Sequence, residues 1–182
     1  EVYTVALIAA GRSDEAIAVL EQTIARGGAD WLIQSLASAL AGQGDGPGLR
    51  ALISGAPIAP EHQAALLAAL DRPDDPSAAA AVKALKSVER LAPGYGYAQM
   101  DLTEIVLLYL GDADAVMAAY HKLVAGGATL TNDDWFLPAY QSFRAHPDFP
   151  ALLEQVGLPA YWDQAGWPEF CRRGADGAIT CT

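Results

Sequence analysis
Apolar positions along this chain recur three and four residues apart, the spacing that gathers side chains on one face of an α-helix. Ala16, Ile17, Leu20 and Ile24 make one such face, with Ser13 or Asp14 as its cap and Gly27-Gly28 as its stop. Residues 2–10 read as the end of an earlier helix, broken at Gly11. Asp30 caps a helix through Leu40, with Trp31, Leu32, Leu36 and Leu40 apolar, and the run GQGDGPG from Gly42 to Gly48 breaks it. Leu49 to Ile53 make a short partner helix before Gly55 and Pro57. Pro60 opens a helix carrying Leu66, Leu67 and Leu70 that stops near Asp71 to Pro73. Pro76 opens another with Val82, Leu85 and Val88 on one face, ending around Pro93-Gly94. From Asp101 the pattern gives Leu102, Ile105, Val106 and Tyr109, a break at Gly111 and a cap at Asp112. A further helix then presents Val116, Tyr120 and Val124 up to Gly126-Gly127.

The last part of the chain is punctuated differently. Phe149, Leu152, Leu153 and Val156 form an apolar stripe, with Pro147 at the first helical position and Gly157 at the stop. Pro159 restarts a short helix bearing Tyr161 and Trp162, which Gly166 and Pro168 end. No alternating strand pattern occurs before the C-terminus. The expectation is an all-α protein of about ten helices in antiparallel pairs from end to end, a repeat array over residues 1–142 with capping helices and a short hairpin over residues 143–182 of the same structural unit.

Two stretches repeat. Gly11 and Gly111, Asp14 and Asp114, Leu20 and Tyr120, Ile24 and Val124, and Gly27 and Gly127 all match at one constant offset of 100 residues. Three units of roughly 33 to 34 residues would fill that interval, the period of tetratricopeptide-type helix pairs. The segments LIAAGRSDEAIAVLEQTIARGG and LLYLGDADAVMAAYHKLVAGG resemble the second half of a tetratricopeptide repeat (TPR). The ending HPDFPALLEQVGLPAYWDQAGWPEFC is similar to the C-terminus of bacterial proteins in which such repeats follow a signalling domain, either a CadC-like winged-helix regulator with a transmembrane helix or a nucleotide cyclase. The resemblance implies a TPR-like α-solenoid, the C-terminal repeat region of such a protein, with DNA or nucleotide chemistry lying upstream. Starting at Glu1 without methionine, the chain reads as a fragment or a processed product.

Composition narrows the function classes. With 52 % hydrophobic residues in 182, the chain has ample material for a core. A net charge of −11 speaks against binding nucleic acid, which needs clustered Lys and Arg to displace counterions from phosphates. No run approaches the roughly 18 apolar residues of a membrane span, so no membrane insertion by this chain is expected.

Candidate chemistry is sparse. Cys171 and Cys181, the only cysteines, flank a segment in which Asp176-Gly177 signals a hairpin turn and Ala178-Ile179-Thr180 a returning strand. A disulfide between them is geometrically plausible, would stabilise the tail by roughly 2–3 kcal/mol, and suits the periplasm or the outside; free thiols in a cytoplasmic tail are the alternative. No histidine lies within ligand spacing of either cysteine, so no metal site is expected. His62, His121 and His146 fall on separate elements, with His146 at a helix start suited to a capping or surface role. Asp133-Asp134 sit side by side and read as a cap rather than as acids flanking a substrate. Gly44-Asp45-Gly46-Pro47-Gly48 and Gly94-Tyr95-Gly96 lack the Lys-Ser/Thr of a phosphate loop and read as loops. Trp31, Tyr95, Tyr97 and Trp135 read as stack packing, with a ligand groove as the alternative.

These observations lead to a non-enzymatic interaction or sensory module without cofactor or metal. It would take a peptide, partner protein or small signal in the concave face formed by successive first helices, in an array able to form a homodimer. An accessory tail of a cytosolic signalling enzyme is the alternative.

Overall fold
The helices lie close to where the apolar spacing puts them. The computed structural model describes residues 2–28, 31–89, 97–127 and 133–181. Eight helices come first: α1 (Val2–Ala9), α2 (Ser13–Ala25), α3 (Trp31–Gly42), α4 (Gly46–Gly55), α5 (Pro60–Asp71), α6 (Pro76–Glu89), α7 (Tyr97–Tyr109) and α8 (Ala113–Ala125). Two 3₁₀ turns, Asp133–Phe136 and Pro138–Tyr140, lead into α9 (Gln141–Arg144), α10 (Phe149–Val156) and α11 (Leu158–Ala165). Strands β1 (Cys171–Arg173) and β2 (Ile179–Cys181) close the chain. Asp30 and residues 90–96, with the expected ending at Pro93-Gly94, lie outside the described residues.

One turn recurs between the paired helices. Gly11, Gly44 and Gly111 each adopt positive φ (73°, 72° and 80°), which an L side chain resists. At each, the next amide reaches back to a leucine carbonyl: Arg12 to Leu7 at 2.8 Å, Asp45 to Leu40 at 2.9 Å, Asp112 to Leu107 at 2.9 Å. This six-to-one closure ties off the carbonyls of the first helix and reverses the chain into the second. The second helices α2, α4, α6 and α8 begin at Ser13, Gly46, Pro76 and Ala113, spacings of 33, 30 and 37 residues.

Caps depart from the sequence reading in three places. The residue before α2 is Arg12, with no side-chain cap, while the Asp14 carboxylate accepts instead from Gln43 Nε2 at 2.7 Å. Helix α4 is longer than Leu49 to Ile53, because Asp45 accepts the Gly48 amide at 2.9 Å and Pro47 starts the first turn. Helix α10 begins at Phe149 rather than at Pro147, with Pro150 in its first turn.

Each second helix packs on the next first helix: α2 on α3, α4 on α5, α6 on α7. Helix α3 also packs against α7, two pairs further on. The consequence shows in burial. Every residue from Leu32 to Leu40 and from Leu102 to Leu108 is buried, including Gln34, Ser35, Ser38, Thr103 and Glu104. A helix buried on all sides belongs at the centre of a fold, and α3 and α7 hold that place here.

The C-terminal segment covers α8. Trp135, Phe143 and Phe149 are fully buried with ring centroids 5.3–5.7 Å apart, and Tyr120 of α8 meets Trp135 edge-on at 5.2 Å. Arg144 donates through Nη1 to the carbonyls of Trp135 (2.6 Å) and Leu137 (2.8 Å), and its guanidinium lies 5.6 Å from the Phe170 ring centre. Trp162 is buried and stacks edge-on with Trp167 at 5.2 Å. Strands β1 and β2 pair antiparallel, Cys171 opposite Cys181, and β2 packs on α10.

Candidate binding groove
Helices α2 and α4 do not close over α3, and the space between them is a groove of about 620 Å³. Its floor comes from Leu36 and Leu40 of α3, both buried. One wall is a single face of α2, carrying Asp14, Ile17, Ala18, Glu21, Ile24 and Ala25. The other wall is α4, with Gly48, Ala51 and Leu52. Gln43 and Asp45 of the α3–α4 turn close one end, where Gln43 holds Asp14.

The α2 wall has an internal order. Asp14, Ile17 and Ala18 are followed seven residues later by Glu21, Ile24 and Ala25. Side chains seven apart on a helix point almost the same way, about 10 Å apart along its axis. The wall therefore repeats acid, isoleucine and alanine in the same orientation. Ile17 and Ile24 are only partly buried, unlike Ala16 and Leu20 of the same helix, which complete the core.

The rim is acidic. Asp14, Glu21 and Asp45 line the groove, and among the described lining residues there is no Lys or Arg. Two nearby cations are engaged elsewhere: Arg12 pairs with Glu15 at 2.6 Å and Arg50 with Asp71 at 2.6 Å. Those hydrogen bonds hold the Glu15 and Asp71 carboxyls below their ordinary range, and the Ser77 hydroxyl does the same for Asp75.

The residues singled out from sequence are scattered. Cys171 and Cys181 form the disulfide that joins β1 to β2. The turn between the strands is longer than Asp176-Gly177 alone, since Gly174 donates to the Ala178 carbonyl at 2.7 Å. His62 is buried on α5. His121 meets Gln155 at 3.1 Å, bridging α8 to α10. His146 accepts the Asp148 amide at Nδ1 (3.1 Å), which leaves Nε2 to donate to Asp114 (2.9 Å). Helix α10 has Asp148 before it and no side-chain cap, so His146 does not cap it; its contacts instead join the segment before α10 to α8. Asp133 and Asp134 lie in the first 3₁₀ turn, with their side chains outside the described residues. Gly44 to Gly48 form the turn and cap of α4, while Gly94-Tyr95-Gly96 lie outside the described residues. Trp135 is core packing; Tyr95 and the side chains of Trp31 and Tyr97 lie outside the described residues.

Among the described residues, no three His, Cys, Asp or Glu side chains gather to hold a metal, and no helix is long and apolar enough to cross a membrane. Of the groove acids, Asp14 read only as a cap and a repeat position, and Glu21 escaped the sequence reading. The signal was their spacing, repeated with the two isoleucines. No known protein family matches the chain, and neither a curated protein nor a solved structure matches it.

Proposed function
We propose that this chain is a protein-interaction module, a TPR-like array of helix pairs whose binding face is the groove between α2 and α4. The observation that carries the reading is the pairing of a partly exposed apolar surface at Ile17 and Ile24 with an acidic rim. Apolar contacts supply affinity when desolvated, and rim charges set partner choice and association rate. The recurring turn and the spacing of second helices support a tetratricopeptide-like origin. The concave face of first helices is a weaker candidate, since α3 and α7 spend that surface on each other.

The parent protein, on this reading, is a bacterial regulator of the CadC-like kind, with the module outside the cytoplasm. The Cys171–Cys181 disulfide supports an oxidising compartment. An accessory tail of a cytosolic signalling enzyme is the alternative, and it would carry reduced thiols in its own compartment.

Photo-crosslinking from the parent protein in its own cells tests the module. A crosslinking residue at Ala18, exposed in the groove, should yield a discrete protein adduct, and one at Tyr161, exposed on α11, should not. No adduct from Ala18, or the same adduct from both positions, would overturn the reading.

A further inference from the structure
The groove is specific enough to name the shape and charge of its occupant. We infer that it takes one α-helix of a partner protein, amphipathic and basic, lying along α2. The inference rests on the interaction-module reading and adds to it the kind of partner.

The period is the first argument. An extended peptide presents side chains to one surface every second residue, about 7 Å apart, and has no reason to meet a wall that repeats every seven. A helix presents equivalent side chains every seven residues, about 10 Å apart, which is the interval from Ile17 to Ile24 and from Asp14 to Glu21. Leu40 in the floor gives the occupant's apolar stripe a third contact surface. This is the arrangement of a helix seated in a groove, anchored at positions three, four and seven apart.

Charge is the second argument. Each acid of the α2 wall stands three residues before its isoleucine, so a docked helix meets one carboxylate per heptad beside its apolar seam. Asp45 adds a third on the α4 side. Lys or Arg flanking the seam would satisfy all three, whereas Glu or Asp there would be repelled.

Labelled synthetic peptides of about three heptads provide the test, read by fluorescence anisotropy. The first carries Leu along one face with flanking Lys, the second has Glu in place of Lys, and the third has the first composition with its Leu scattered. The first should bind at least about tenfold more tightly than either other. Ile24→Lys should weaken it by about tenfold or more, and Asp14→Lys with Glu21→Lys should transfer preference to the Glu peptide. Asp14 and Glu21 are exposed, so that double variant folds as the parent does, which circular dichroism checks. Equal binding of the scattered peptide would reduce the effect to charge alone and overturn the inference. So would failure of the Lys peptide to bind, or binding indifferent to Ile24→Lys. A concentration-dependent dimer abolished by Ile24→Lys would assign the groove to a second copy and overturn it equally. Crosslinks from Ala18 that persist while the peptide series fails would discard the basic helix and leave the interaction module standing.

Discussion

Arg144 is a cation buried within the C-terminal segment that covers α8, and its removal is the sharpest test of how that segment is held. Its residue surface is 8 % exposed, and burial pushes its guanidinium pKa down from the ordinary value. It contributes through two charge-assisted hydrogen bonds, to Trp135 O and Leu137 O at 2.6 and 2.8 Å. The two acceptors are not equivalent. Leu137 O also receives the Tyr140 amide at 3.0 Å and keeps that partner when the arginine is gone. Trp135 O sits beside a fully buried indole, and leaving such a carbonyl unsatisfied costs about 1–3 kcal/mol. The second bond adds about 1 kcal/mol and the contact over Phe170 about 0.5–1 kcal/mol, against the relief of returning a cation to water. Arg144→Ala should therefore cost about 3 kcal/mol. Arg144→Lys, which keeps the charge but not the planar fork, should cost about 1–2 kcal/mol. Urea unfolding followed by tryptophan fluorescence reads both: with a slope near 2 kcal/mol per M, the alanine variant shifts its midpoint down by roughly 1.5 M. Arg172→Ala, at an exposed neighbouring arginine, should stay within about 0.5 kcal/mol. An Arg144→Ala midpoint indistinguishable from that of Arg172→Ala would refute the reasoning, since it would mean the segment docks without its buried cation.

Reducing the disulfide, or replacing both Cys171 and Cys181 by Ala, should cost about 2–3 kcal/mol and remove hydrogen-exchange protection from β1 and β2, with the helical circular dichroism signal retained. Gly42→Ala should destabilise by about 1 kcal/mol, because the new methyl would lie 2.9 Å from Pro138 Cβ and 3.1 Å from the Ala139 nitrogen, outweighing the gain in helix propensity. Gly55→Ala, with nothing near the new methyl, should instead stabilise by up to about 1 kcal/mol, so thermal melts of the pair should move in opposite directions. The Glu15, Asp71 and Asp75 carboxyls sit below their ordinary range when folded, so their contribution is complete above about pH 5 and fades as pH falls through the folded values. Arg50→Met should accordingly flatten the acid limb of a plot of urea midpoint against pH, and an unchanged limb would remove Asp71 from that account.

Element existence was legible because the helices carry their own punctuation. Gly11, Gly111, Asp112, Pro60, Pro76 and Gly157 act within one turn of chain, and each stands at the boundary its chemistry implies. Asp14 shows the limit of that logic. Its position suits a cap, but a glutamine 29 residues away claims the carboxylate, and no local rule contains Gln43. The segment from Trp135 to Arg144 was harder still. It has no helical period, because its short 3₁₀ turns are held by an aromatic cluster and by Arg144 rather than by a stripe. The groove was visible only in part: Ile17 and Ile24 read as core positions with Ala16 and Leu20, and sequence alone cannot say that α4 stops short of covering them.

The packing of α3 on α7 decides which surface is left for a partner. In an array where each pair touches only its neighbours, first helices line an open inner face. Here the pair made by α5 and α6 is bypassed, and the first helices on either side of it meet directly. The Leu and Ile side chains of α3 and the Leu, Ile and Val side chains of α7 gain from such closure, at roughly 25 cal/mol per Å² of apolar area removed from water, and Gln34, Ser35, Ser38, Thr103 and Glu104 are buried with them. Helices α2 and α4 have no comparable outlet. Between α2 and α4, Ile17, Ile24 and Leu52 remain only partly covered above a buried leucine floor, with Asp14, Glu21 and Asp45 at the rim. On the proposed reading, a partner helix would cover those side chains, neutralise those acids and complete on the outside what α7 completes for α3 within.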